Sequence, residues 1–457
     1  MERLISLIGI PILLAICYGL STDRKKINWP LVVWGIVLQF AFALIILRTD
    51  FGKSFFFMVN GVVTSLLGFT GKGAEFVFGK LAAFNCPVGT LPPDFKGPGA
   101  FAPLDYTTTA TMWASPGAFF AFGVLPTIIF FSSLMTMLYH LGIMQRVVYA
   151  IAWLMQRFMK TSGAETLCAA ANIFVGQTEA PLVIKPYLAK LTQSELHCVM
   201  TAGMATIAGG VMAAYVGMLK GGFPDVAGHI MAASVMSAPA SLVIAKMMVP
   251  ETETPETAGN VPLTVEKTDK NVIDAMARGA SEGVGLAINV AAMLIAFIAM
   301  IAMFNAVWEG CCTFVSGYVP GLGLTHIDSI QKILGYINAP FAWLMGIPSV
   351  DILKAGELLG EHTVLNEFVA YAHLGQILDK KELLEGVPVV LQPRSVTLLT
   401  YALCGFANLG SIGIQIGGIG GLAPNRRGDI AKLGIYALIA GTLASYLTAN
   451  IAGIIIE

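Results

Sequence analysis

Apolar runs about 20 residues long recur through this chain, roughly at 3–20, 30–47, 118–140, 197–219, 225–247, 283–308, 396–420 and 431–455. About 20 apolar residues carry a helix across the hydrocarbon of a bilayer. Lipid offers no partner to backbone N–H and C=O groups, so runs of this kind fold as helices. The expectation is an all-α integral membrane protein with about eight transmembrane helices. Composition agrees: 56% of residues are hydrophobic and 12% charged, where soluble domains carry about 25% charged. The formal net charge of −1 points to no nucleic-acid partner, and the expected surroundings are the lipid bilayer. The N-terminal MERLISLIGIPILLAICYGL lacks an A-x-A-like cleavage site and reads as a first transmembrane helix.

Two further stretches, 163–190 and 349–378, are apolar at their ends and polar in the middle. They read as re-entrant helical hairpins, which lipid tolerates only where protein or a water-filled cavity covers the exposed backbone. Each carries a glutamate at a similar distance after the same four letters. Ala152-Trp153-Leu154-Met155 precedes Glu179 by 24 positions counted from Met155, and Ala342-Trp343-Leu344-Met345 precedes Glu367 by 22 counted from Met345. A charged side chain at bilayer depth costs roughly 2.5–3.5 kcal/mol on insertion scales. Accepting that cost twice, at matching places, points to an internal repeat with a polar site where its halves meet.

Lys and Arg set the expected orientation. Arg24, Lys25 and Lys26 place the first loop in the cytoplasm and the N-terminus outside; alternating spans put the C-terminus outside too. The first hairpin then enters from the cytoplasm and the second from the opposite face, as an inverted repeat requires. The expected organisation is 1–116 (two transmembrane helices, an interfacial helix at 54–82 and a Pro/Gly/Thr-rich outer loop at 84–116), 117–249 (first repeat), 250–272 (a polar cytoplasmic linker) and 273–457 (second repeat).

The first hairpin reads CAAANIFVGQTEAPLVIKPYL. Gly176 allows a tight tip, and Pro181 suits the first turn of a new half-helix. A half-helix N-terminus offers free N–H groups and a positive dipole end. Gln177, Thr178 and Glu179 form a row of donors and acceptors that fits a polar uncharged ligand such as a heterocyclic base or a sugar; the bland alternative is a polar knot tying helices together. In the second hairpin, Asn366 and Glu367 are the polar centre, and a carboxylate accepting two hydroxyl hydrogen bonds suits a ribose diol. The span after each hairpin has a weak centre: Thr206 with Gly209-Gly210, and Asn408, Gly410 and Ser411. Unwinding there frees carbonyls for a hard cation such as Na⁺. The alternative is close packing by small residues, and the GxxxG pairs Gly413–Gly417 and Gly417–Gly421 read as packing. The seven cysteines read as buried thiols, although Cys86 and Cys311-Cys312 lie near expected outer segments. His140, His197 and His373 read as interfacial histidines. There is no HExxH, no phosphate loop and no ordered nucleophile–base pair, so an enzyme is not expected.

The segments GQTEAPLVIKPYL, NEFVAY, CGFANLGSIGIQIGG and FFSSLMTMLYHLGIMQ together resemble the concentrative nucleoside transporter family, from about residue 117 to the end and over the first two helices. The resemblance implies a homotrimer in which a transport domain of two hairpins and two broken helices moves against a scaffold. It implies that Gln177 and Glu179, with Thr178 adjoining, bind the nucleobase, that Val211 packs on it and that Phe406 lies near it. Glu367, Asn408 and Ser411 match the ribose-binding positions. Asn172, Val175, Thr206 and Ile207 match the sodium site, with Thr206 where the family is expected to have Ser; the hydroxyl is retained. The function implied is import of nucleosides across a bacterial inner membrane by symport with Na⁺ as coupling ion and no other cofactor. Proton coupling through Glu179 and a polar-solute channel are the competing readings, and pyrimidine and purine nucleosides both stay open.

Overall fold

The computed structural model describes residues 1–79, 86–88, 112–114, 120–259, 269–318, 329–379, 383–384 and 387–456. It is helical, with two short antiparallel strand pairs, Cys86–Val88 with Met112–Ala114 and Leu383–Leu384 with Val387–Pro388. The first pair is all that is described of the outer-loop stretch 84–116.

Three helices open the chain: α1 (Glu2–Gly19), α2 (Trp29–Arg48) and α3 (Asp50–Phe78). Asn28 and Thr49 accept backbone N–H groups at the starts of α2 and α3, satisfying donors a helix N-terminus leaves unpaired. Helix α3 covers 54–78 of the stretch expected to be interfacial, and 80–82 lie outside the described residues. Then comes α4 (Leu125–His140), which turns by 78° into α5 (Ile143–Met159). Gly142 makes the corner with a φ of +77°, a conformation that favours glycine. The sequence reading had not separated α5 as a helix. It is amphipathic, burying Met144, Val148, Ala152, Met155 and Met159 at helical spacing.

The first hairpin follows as α6 (Gly163–Ala171), an irregular tip, a 3₁₀ turn (Ala180–Ile184) and α7 (Lys185–Leu188). Next are α8 (Gln193–Ala205) and α9 (Gly209–Leu219), one span broken at Thr206, and the buried helix α10 (Val226–Met248). The order then repeats: α11 (Val272–Tyr318), α12 (Ile330–Leu344), a second hairpin of α13 (Ile352–Val364) and α14 (Glu367–Leu378), a broken span of α15 (Pro393–Ala402) and α16 (Leu409–Leu422), and the long α17 (Arg427–Ile455). Each expected span is helical where described, and both weak centres are real breaks.

The hairpins enter from opposite ends. At the base of the first, Gly163 N–H donates to Thr257 O at 3.0 Å, and Lys246 near the end of α10 meets Glu165 at 2.7 Å. The C-terminal end of α1 is there too, since Thr22 N–H donates to Met248 O at 2.9 Å. The base of the second hairpin lies by the N-terminal end of α1, where Ser6 Oγ donates to Met345 O at 2.8 Å. Eighteen residues separate these ends, about 27 Å of helix. Arg3 Nε donates to Ile456 O at 3.1 Å, so both termini share one end.

Each hairpin base is latched to the broken span after it by a hydroxyl–carboxylate pair, with the two groups exchanged. Ser162 Oγ on the first hairpin donates to Glu195 Oε1 of α8 at 2.5 Å. In the second repeat Asp351 is the carboxylate, accepting from Ser395 Oγ at 2.5 Å and Gln392 N–H at 2.9 Å.

The described part of the linker, 250–259, packs on the first hairpin: Thr257 accepts from Gly163 and Ala164 N–H, and Glu251 meets Lys246 at 3.0 Å. The N-terminus of α6 needs such acceptors, and the linker supplies them. Two readings need correction. The GxxxG glycines Gly413, Gly417 and Gly421 face open space among the described residues; it is Gly418 that packs, against Thr178. His197 is fully buried within α8 rather than interfacial, while His373 pairs with Glu361 across the second hairpin at 2.8 Å. Cys311 is exposed and Cys312 buried. Helix α11 leaves Ile288, Ile295, Met303, Phe304 and Val307 exposed, an apolar flank open to lipid or to another protomer.

Candidate functional site

The irregular hairpin tips and the two helix breaks meet at the centre of the molecule, where four half-helices begin: the 3₁₀ turn at Ala180, α9, α14 and α16. Gly209 N–H at the start of α9 donates to Phe174 O in the first tip at 2.9 Å, which docks that tip on the first break. Asn172 ends α6, 1% exposed. Its Nδ2 donates to Cys168 O at 3.1 Å, so Oδ1 points away from its own helix, where it has no hydrogen-bond partner among the described residues. Thr206 spends its hydroxyl hydrogen on Ala202 O at 2.8 Å and keeps its oxygen lone pairs. The carbonyl oxygens of Val175 and Ile207, in the tip and the break, accept no backbone N–H among the described residues. Neutral oxygens without donors, backed by helix-free backbone, are what a hard monovalent cation takes.

Across the centre, Glu367 opens α14 in its first turn, where the helix dipole favours an anion. Asn366 caps the same helix by accepting from Val369 N–H at 2.9 Å. Both carboxylate oxygens of Glu367 are engaged: Tyr215 of α9 donates to Oε1 at 3.0 Å and Asn408 Nδ2 to Oε2 at 2.8 Å. Each oxygen can accept a second hydrogen bond, which suits a pair of vicinal hydroxyls. Asn408 is the N-cap of α16, and its Oδ1 accepts from Ser411 N–H at 2.9 Å. One amide thus caps a helix and holds a carboxylate.

Gln177 joins the two parts. Its Nε2 donates to Ser411 Oγ at 3.0 Å, and its Oε1 accepts from Gln415 Nε2 at 3.0 Å. Gly203 on α8 leaves room for the pair: a β-carbon there would sit 2.8 Å from Gln177 Cβ. Thr178 rests on Gly418 of α16, where a β-carbon would meet its Cγ2 at 2.5 Å. Glu179 is exposed, and its carboxylate folds over Gly176, whose missing β-carbon it would otherwise meet at 2.2 Å. Val211 is buried in the first turn of α9, one turn before Tyr215 on the same face. Phe406 is half-buried in the second break, where its carbonyl accepts from Asn408 N–H at 2.9 Å. The structure therefore gathers Gln177, Ser411, Asn408 and Glu367 into one hydrogen-bonded series, and Asn172, Val175, Thr206 and Ile207 onto the docked tip and break beside it.

Three family models match the chain: the Na⁺ dependent nucleoside transporter N-terminus over residues 8–81, nucleoside recognition over 121–221, and the Na⁺ dependent nucleoside transporter C-terminus over 229–453. An uncharacterized transporter of Haemophilus influenzae is 41% identical over 457 residues, covering 100% of this chain and 98% of that one. The chain belongs to the Na⁺ dependent nucleoside transporter family. A hagfish (Eptatretus stoutii) solute carrier family 28 member 3 is 41% identical over 99% of this chain and 61% of its own length. The chain spans about 60% of such animal relatives, with 59% for the mouse protein. Among solved structures, CNTnw in an inward-facing substrate-bound state is 39% identical, with a TM-score of 0.82 and coverage of 100% of this chain and 98% of that one.

Within this family frame, three site residues escaped the sequence reading. Tyr215 sits in an apolar run, and Gln415 is a lone amide in the Gly/Ile-rich GIQIGG. The third is His362, whose Nε2 donates to Gly405 O at 2.8 Å. A single polar residue in an apolar half-helix was the available signal for Gln415. For Tyr215, only its partner 152 positions away marks its role.

Proposed function

We propose that the protein imports nucleosides by symport with Na⁺, working as a homotrimer in a bacterial inner membrane with both termini extracytoplasmic. Gln177, Thr178 and Glu179 face the base, with Val211 and Phe406 packing on it. Glu367, Asn408 and Ser411 hold the ribose. Asn172, Val175, Thr206 and Ile207 hold Na⁺. The observation that carries the reading is the unpartnered Asn172 Oδ1, buried five residues before Gln177 on the same tip.

An ion at Asn172 orders the tip that presents Gln177 and Glu179, so ion and nucleoside stabilise each other. That mutual preference is what coupling requires, because an ion indifferent to the substrate-competent state would drive nothing. One charge moving inward through 100 mV contributes about 2.3 kcal/mol, close to fifty-fold accumulation. Transport then moves hairpins and broken spans together, because the latches at Glu195 and Asp351 and the series through Gln177 bind them into one body.

Uptake of radiolabelled uridine into proteoliposomes tests the reading. The expected result is accumulation against a gradient that requires inward Na⁺. Uptake driven by a pH gradient and indifferent to Na⁺ would make protons the coupling ion, and equilibration without accumulation would make the protein a channel. Mass measurement in detergent at three times the 48.4 kDa protomer is expected for the trimer, and a monomer mass would remove it.

A further inference from the structure

The orientation of one amide is fixed by a residue outside the proposed contact set. Gln415 on α16 is wholly buried. Its Nε2 donates to Met200 O at 2.8 Å and to Gln177 Oε1 at 3.0 Å. A primary amide has two N–H donors, so both are spent. The reverse orientation would set the Gln415 carbonyl against the Met200 carbonyl, acceptor against acceptor, so α8 dictates which way Gln415 points. Gly203 crowds the pair on the other side: a β-carbon there would lie 3.1 Å from Gln415 Nε2. Gln177 must therefore turn its oxygen to Gln415 and its NH₂ to the site. Ser411 Oγ takes one hydrogen at 3.0 Å, and the other is left for a ligand.

We propose that Gln415 makes Gln177 a donor-only contact and so sets a preference for nucleosides that present a carbonyl rather than an amino group to the first hairpin. The inference rests on the reading of Gln177 as a base contact. Uracil and hypoxanthine carry a carbonyl where cytosine and adenine carry an amino group. An amino group facing the Gln177 NH₂ sets donor against donor, and the locked amide cannot turn to relieve it. Gln415 is thus a positioning residue that acts through Gln177.

Gln415→Glu reverses the lock. A protonated carboxyl donates its one hydrogen to Met200 O and has only lone pairs left for Gln177, so Gln177 turns its NH₂ inward and its oxygen to the ligand. Gln415→Met removes the lock altogether. The experiment compares the full-length wild type, Gln415→Glu and Gln415→Met by competition binding of uridine against cytidine and of inosine against adenosine, which reads affinity even where transport is slow. The wild type is expected to favour uridine and inosine. Gln415→Glu should shift both ratios toward the amino bases by about tenfold, one exchanged hydrogen bond. Gln415→Met should bring both ratios toward one. Equal weakening of all four nucleosides, with unchanged ratios in both variants, would reduce Gln415 to a structural residue and overturn the inference. A wild type that binds none of the four would instead remove the proposed function, and this inference with it.

Discussion

The two hairpins occupy matching places in the repeat, and they are completed in different ways. The second tip is finished by side chains: Asn366 caps α14, Tyr215 and Asn408 occupy Glu367, and His362 ties α13 to the carbonyl of Gly405 in the break opposite. The first tip is left open. Among the described residues Asn172 Oδ1 has no partner and the 3₁₀ turn after Glu179 has no side-chain cap, and Glu179 is exposed. A buried polar atom without a partner costs about 1–3 kcal/mol, a cost that the proposed ion would relieve at Asn172. The comparison teaches how one repeated hairpin is completed in two ways. His362 bonds the second hairpin to the break opposite; the first is docked by Gly209 N–H on Phe174 O and leaves oxygens for the proposed cation.

The largest effect expected from breaking this asymmetry is at the open tip. Asn172→Leu removes the orphan oxygen and fills its space, and Na⁺-driven uridine uptake should fall by about two orders of magnitude, the upper range of coupling between sites. Uptake that keeps its Na⁺ half-saturation in this variant would place the ion elsewhere. At the finished tip, Glu367→Gln keeps the shape but loses a charged acceptor, which contributes about 1.5–3 kcal/mol per hydrogen bond. Ribonucleoside affinity should drop by roughly ten- to a hundredfold, and 2′,3′-dideoxy analogues should be affected much less. Equal loss for both would separate Glu367 from the diol.

His362→Leu asks whether the second tip is held by its histidine. It strands the Gly405 carbonyl in a buried site and should lower stability by about 1–3 kcal/mol, seen as a lower melting temperature, with the Na⁺ half-saturation unchanged. A shift in Na⁺ dependence would mean that the two tips are not independent. The smallest effect is expected for Tyr215→Phe, which removes one hydroxyl from Glu367. A net hydrogen bond of about 0.5–1.5 kcal/mol corresponds to a two- to tenfold loss of ribonucleoside affinity, and no change at all would mean Asn408 alone positions the carboxylate.

Much of this architecture was legible before any coordinates. Apolar runs have a length set by the bilayer, so the spans could be read directly. Glycine and polar residues clustered at Thr206 and at Asn408–Ser411 marked the breaks, because they hold a helix weakly and can cap a new one. The spacing of Glu179 and Glu367 after AWLM gave the repeat. What hydropathy hid was the corner at Gly142, since α4 and α5 join without a polar gap, and the docking of 250–259, since a polar segment reads alike whether it hangs free or caps a helix. GxxxG was misleading for the same reason: spacing along one helix does not say which glycine meets a neighbour, and Gly418 rather than Gly417 met Thr178.

The sequence by itself determined that the chain is a bundle of membrane helices with two hairpins and two breaks, because those features depend on local length, polarity and backbone freedom. Tertiary structure alone decided which partners the polar residues find. Gln177 and Gln415 are 238 positions apart, and Tyr215 and Glu367 are 152 apart. Pairings at that range are set by how rigid helices pack, and no local pattern carries them. The two glutamates are alike in the sequence; packing leaves Glu179 open at an unfinished tip and closes two donors around Glu367.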